Sequence, residues 1–159
     1  LSDDVIGAQI AGAFKNVIAI SCGIIHGLSL GESARASLVT RGLAEISRLG
    51  VAMGAKPETF MGLSGIGDLM LTCSSEQSRN FSLGLALTQG ESLDSLMQKK
   101  GSSLSEGVHT AHVAIDLAKK HGIEMPISEA VYNCLHGDLS LDDAVKDMLN
   151  RKMKDESEL

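Results

Sequence analysis

From Asp4 to about Leu28 the chain is almost wholly apolar, interrupted only by Gln9, Lys15, Asn16, Ser21 and His26. That run predicts one long helix. Asp3 and Asp4 bring negative charge to its N-terminus, and Ser2 or Asp3 is expected to cap it. One face carries the bulky residues Ile6, Ile10, Phe14, Val17 and Ile24, which should fill a core. The face around Lys15 holds Ala8, Ala11, Gly12, Ile18, Ala19 and Cys22, most of them small. The length would also suit a membrane span. Against this, a lysine at mid-helix costs roughly 2.5–3.5 kcal/mol on insertion scales, and Gln9 and His26 add to the penalty. A helix buried in a bundle is the better reading.

The apolar spacing continues in helical steps. Glu32 to about Met53 fits a second helix, with Leu38, Leu43, Ile46 and Leu49 apolar and Arg35, Arg41, Glu45 and Arg48 polar. Pro57 should open a short helix over 58–61. The glycine-rich stretch 62–68 reads as a turn leading into 69–72, and 73–77 as a polar loop. Helices are predicted over 78–88, 91–98 and 106–121, with Lys99 to Ser105 as a loop and Gly90 and Gly122 as stops. Pro126 is expected to start a turn, Ser128 to cap a helix to His136, and Ser140 to cap a last helix to Arg151. Strand-like alternation and β–α–β order are lacking. The expected fold class is all-α, a multi-helix bundle.

Composition sharpens this. The chain has 159 residues, room for one domain with a substantial core, and 43% of them are hydrophobic. With 3% aromatics and no Trp, the core must be Leu, Ile, Val, Ala and Met, which suits close helix packing. A net charge of −6 argues against a nucleic-acid partner, and any anionic ligand then needs a local basic or helix-terminal site. Three cysteines, far apart in sequence and without C-x-x-C spacing, favour a reduced, cytoplasmic protein over a disulfide scaffold. The chain starts at Leu1 without a Met or a signal-like segment, and is read as a fragment whose N-terminus lies upstream.

Lys15 is the leading chemical candidate. Small neighbours leave space beside its amine, and desolvation disfavours the charged form, which suits proton transfer. A lysine that snorkels to water or pairs with a buried carboxylate is the structural alternative. Asn16 points about 100° away and is a candidate for fixing a neighbouring group. Asp68 follows Gly65-Ile66-Gly67 at a helix start, where it is either a ligand-facing carboxylate or a plain cap. Ser78, Arg79 and Asn80 combine free N–H groups, a hydroxyl, an amide and a guanidinium in one turn, as a phosphate site or as a solvated cap. His109 and His112 share a face without a third ligand, so no metal is expected. The glycines do not complete a dinucleotide fingerprint.

The strings 12–20 (GAFKNVIAI), 40–45 (TRGLAE), 57–69 (PETFMGLSGIGDL), 78–80 (SRN), 106–107 (EG) and 124–127 (EMPI) occur in this order. Together they closely resemble the C-terminal domain of bacterial-type NAD(P)-dependent glycerol-3-phosphate dehydrogenase, over nearly the whole chain. Phe14 departs from the more usual Leu before the lysine and should pack alike. The resemblance implies a substrate-binding domain over 1–151, of the 6-phosphogluconate dehydrogenase C-terminal-like type, with a charged tail over 152–159. It also implies an N-terminal Rossmann domain, absent from this chain, that holds most of the NAD(P). The implied activity interconverts sn-glycerol 3-phosphate and dihydroxyacetone phosphate and feeds glycerophospholipid synthesis; the fragment alone should be inactive.

Carried over by position, Lys15 is the implied proton donor and acceptor, and Asp68, Ser78, Arg79 and Asn80 are substrate contacts. Arg79 and Glu106 are implied cofactor contacts, with Leu104 less securely so because its loop varies. A small-molecule substrate is the expected partner. Exposed apolar surface left by the absent domain makes self-association, with a homodimer as one form, a further expectation. The rival readings are another dehydrogenase that joins a Rossmann domain to a helical one, and a helical interaction module without catalysis.

Overall fold

A computed structural model describes residues 3–100 and 105–149, and every element in that part of the chain is helical. Helix α1, Val5–Gly27, runs through the middle and packs against helices α2 (Glu32–Ala52), α4 (Asp68–Cys73), α5 (Arg79–Thr88), α7 (Ser105–His121) and α8 (Pro126–His136). Three shorter helices complete the order: α3 (Pro57–Phe60), α6 (Leu93–Lys100) and α9 (Leu141–Leu149). The central position explains the near-absence of polar residues in α1. From Val17 to Ile25 every residue is buried, so both faces are core. The helix is long and apolar enough to cross a membrane, yet 67% of its most apolar window is covered by the other helices.

The start of α1 corrects two expectations. The cap is Asp4 and not Asp3, and Ser2 lies outside the described residues: the Asp4 carboxylate accepts from Gly7 N at 2.9 Å. It also accepts from Lys56 N at 2.8 Å and Thr59 Oγ1 at 2.6 Å, which ties the entry of α3 to that of α1. The Thr59 hydroxyl, then the two N–H groups, hold Asp4 below the usual carboxylate range. Ile6, expected in the core, is 41% exposed, because the helices that cover α1 leave its first turn open.

Glycine sets how closely the helices approach. A Cβ on Gly84 would lie 2.0 Å from the Ile20 carbonyl oxygen, and one on Gly23 would lie 2.0 Å from the Phe81 carbonyl oxygen. Helices α1 and α5 therefore cross backbone to backbone. Of the residues predicted around Lys15, Ala11, Ile18, Ala19 and Cys22 are buried in the core, while Ala8 and Gly12 are half-buried.

A further correction lies at α8. Pro126 occupies its first turn, where a missing N–H costs nothing, with Met125 as the cap residue. Proline thus opens the helix itself, and no separate turn precedes it. Ser128 is already inside the helix and fully buried. Its hydroxyl and N–H meet the carboxylate of Glu45, at 3.2 and 3.3 Å, and Ile127 N donates to the same group at 2.7 Å. Glu45, one of the polar residues expected on α2, is 1% exposed. Burial pushes its carboxyl up to about 7, against the pull of those hydrogen bonds and of Arg48. One turn earlier on α2, Arg41 donates to the Met148 carbonyl in the last turn of α9 at 2.5 Å. Two polar side chains of one helix thus hold the start of α8 and the end of α9.

Smaller boundary shifts follow the same logic. Helix α6 spans Leu93–Lys100, two residues later than 91–98, and α7 already includes Ser105. Ser140 does cap α9, accepting from Asp143 N at 3.2 Å. The predicted end of α9 at Arg151 and the tail 152–159 lie outside the described residues.

Candidate active site

Lys15 and Asp68 are 53 residues apart in sequence and meet in space: Lys15 Nζ donates to Asp68 Oδ2 at 2.5 Å. Their side chains are 23% and 34% exposed, so the pair is sheltered but reachable. The approach of the chain to α4 makes the meeting possible. After α3, the segment Leu63–Gly67 forms a single π-helical turn where a plain turn was expected, closed by Gly67 N donating to the Gly62 carbonyl at 3.2 Å. Gly65 lies against the Phe60 backbone so closely that a Cβ there would be 2.1 Å from the Phe60 carbonyl oxygen. This wound turn delivers Asp68 as the first residue of α4, with its carboxylate on Lys15 and not on the helix end. Open space lies one turn before Lys15, where a Cβ on Gly12 would meet nothing within 4 Å.

A second group forms where α5 and α7 begin. Ser78 caps α5, its Oγ accepting from Phe81 N at 3.4 Å. Arg79 is exposed in the first helical turn, while Asn80 is only 7% exposed. The Asn80 Oδ1 is buried and has no hydrogen-bond partner among the described residues. It packs against Gly107 in the first turn of α7, next to the exposed Glu106. Gly107 in turn lies beside Ile20, five residues and about 7.5 Å along α1 from Lys15. Both groups thus rest on α1 within a turn and a half of each other. Leu104 lies outside the described residues.

Several other features border this face. Met61, Leu63, Met70 and Leu71, on the segment around Asp68, are 71%, 90%, 48% and 71% exposed. Thr72, one turn after Asp68, donates from Oγ1 to the Asp68 carbonyl at 2.7 Å. The expected polar loop from Cys73 is corrected at its first residue: Cys73 closes α4 and is fully buried. The cysteines also prove less separate than their sequence positions suggest. The thiols of Cys22 and Cys73 hydrogen-bond to one another, and that contact, with burial, pushes Cys73 above the usual thiol range. A groove of about 740 Å³ lies elsewhere, lined by Leu87, Leu93, Leu135 and Leu139 among others, and none of the candidate residues borders it.

Residues 4–146 match the family described as NAD-dependent glycerol-3-phosphate dehydrogenase C-terminus. The chain is similar to glycerol-3-phosphate dehydrogenase [NAD(P)+] of Parvibaculum lavamentivorans, 56% identical over 98% of this chain and 46% of that protein. The enzyme of the same name from Rhodospirillum rubrum is 54% identical over 96% and 44%. The crystal structure of glycerol-3-phosphate dehydrogenase from Coxiella burnetii superposes with a TM-score of 0.89 at 46% identity, over 94% of this chain and 46% of that one. The chain therefore spans just under half the length of the relatives it matches. With the family match running from the cap of α1 into α9, the chain belongs to the C-terminal domain family of NAD-dependent glycerol-3-phosphate dehydrogenases.

Proposed function

We propose that this chain is the substrate-binding half of an oxidoreductase that interconverts sn-glycerol 3-phosphate and dihydroxyacetone phosphate, with Lys15 as its proton-transferring group. The observation that carries the reading is the sheltered Lys15–Asp68 pair, 2.5 Å apart, on the same helix α1 against which the start of α5, with Ser78, Arg79 and Asn80, also packs. In the reducing direction, charge develops on the carbonyl oxygen of the substrate. The Lys15 ammonium stabilises that charge and gives up a proton to form the hydroxyl. In the reverse direction the neutral amine takes the same proton back. Asp68 accepts from Lys15 and so fixes the direction of its N–H bonds.

The phosphate end belongs to α5. Ser78, Arg79 and Asn80 supply a hydroxyl, a guanidinium and an amide where the helix dipole favours an anion. Binding energy gained there holds the carbonyl carbon in place for reaction. Arg79 and Glu106 are exposed at adjoining helix starts, and with Leu104 they are assigned to contact the NAD(P). The orphaned Asn80 Oδ1 fits a site completed by a bound molecule. The nicotinamide, when bound, supplies or accepts the hydride. The open Lys15 face and its exposed neighbours Met61, Leu63, Met70 and Leu71 support its being one wall of a cleft closed by a nucleotide-binding half. The buried surface of α1 and three free cysteines support a cytoplasmic enzyme without a membrane span.

The direct test is Lys15→Ala in the two-domain enzyme this proposal implies. General acid–base groups contribute about 10²- to 10⁴-fold, so kcat should fall within that range while thermal unfolding is unchanged. Turnover within a few-fold of the parent would reject the assignment and favour an interaction module.

A further inference from the structure

Gly107 has the ordinary backbone of a helix, since it is not among the glycines with positive φ. A glycine there lowers helix stability relative to alanine, so its presence calls for a packing reason. The surroundings supply one: a Cβ at this position would lie 2.1 Å from Asn80 Oδ1, 2.9 Å from Asn80 Cγ and 3.1 Å from Ile20 Cδ1. The closest contacts are with the free end of one side chain. The contrast with Gly23 and Gly84 is informative, because there the added atom would meet backbone, which cannot move aside. At Gly107 the helices can stay in place while the Asn80 amide is pushed out of its position.

We infer that Gly107 is a positioning residue: its bare Cα sets where the Asn80 amide points and couples the start of α7, with Glu106, to the phosphate-binding start of α5. The inference rests on the proposed role of Asn80 as a substrate contact. Asn80 is 93% buried by complement of its 7% exposure, so it has few alternative rotamers that keep the amide directed at the same point. Any side chain at 107 removes that one.

The test compares Gly107→Ala, Asn80→Ala and the double variant in the two-domain enzyme, by steady-state kinetics with glycerol 3-phosphate and by thermal unfolding. Losing one hydrogen bond to a charged group should raise KM about ten- to hundred-fold, with kcat changed much less. Gly107→Ala should reproduce most of the Asn80→Ala effect at near-parental Tm. In the Asn80→Ala background, where the space is vacant, it should add no more than about two-fold. A merely structural glycine predicts instead a lower Tm and the same penalty in both backgrounds. If Asn80→Ala raises KM and Gly107→Ala does not, the substrate reading stands and the positioning role is overturned. If Asn80→Ala leaves KM unchanged, the substrate role of Asn80 falls and this inference with it. Should the single Gly107→Ala variant fail to fold, the double variant decides: folding with Asn80→Ala kinetics supports the role, and failure to fold overturns it.

Discussion

Asp68 and Glu45 are carboxylates in opposite settings. Asp68 faces an amine at a sheltered but open edge, whereas Glu45 is sealed in the core against the start of α8. The carboxyl of Glu45 is raised from 4.5 to about 7, so between those values the folded chain holds a proton that the unfolded chain has lost. Its contribution is complete below about 4.5 and fades as the pH rises through about 7. The stability of the parent relative to Glu45→Gln, measured by denaturant unfolding, should therefore decline across that window; a constant difference would contradict the buried, protonated carboxyl. Glu45→Ala removes the buried acceptor of Ile127 N and should cost about 1–3 kcal/mol. Lys15 and Asp68 stood out in the sequence because a lone cation in an apolar run, and an acid after glycines, are both unusual. Glu45 did not, since it shares α2 with Arg41 and Arg48 and reads as part of a solvated stripe. Its spacing held a signal all the same: it is seven residues after Leu38 and four before Leu49, both fully buried, and so lies on the buried face.

At the level of elements, the helical pattern was legible nearly throughout, because each segment combines apolar spacing with a recognisable stop. What misled was local chemistry that another element overrides. Ser128 has the right residue type for a cap, but Pro126 begins the helix and Glu45 on α2 supplies the acceptor from outside. The segment 62–68 has the glycines of a turn, yet Phe60 and the demand that Asp68 reach Lys15 wind it into a π-helical turn. Close helix approach is likewise invisible in one segment alone. Gly23 and Gly84 fit each other only once α1 and α5 are laid together. Gly84→Ala would place a methyl 2.0 Å from the Ile20 carbonyl oxygen, with backbone unable to yield. It should cost about 1–3 kcal/mol in unfolding free energy, against a gain expected for Gly→Ala in an isolated helix. An unchanged or raised Tm would show that the crossing is looser than described.

For the whole molecule, the central helix explains why fold and site are one problem. Helix α1 is the common core element, and Lys15, Ile20 and Cys22 along it face α4, the α5–α7 junction and α4 again. The candidate centre is therefore assembled from helices that all pack on α1, so residue types could be read from the sequence but their convergence could not. The proposed centre rests on Lys15 and Asp68 acting as a unit. The most direct measurement is a double-mutant cycle of Lys15→Ala and Asp68→Ala in the two-domain enzyme, read as kcat/KM for glycerol 3-phosphate. Residues that act together lose their effects non-additively, so the double variant should be no worse than Lys15→Ala alone, within about three-fold. Losses that multiply, or a Lys15→Ala enzyme that still turns over at the parental rate, would contradict the account.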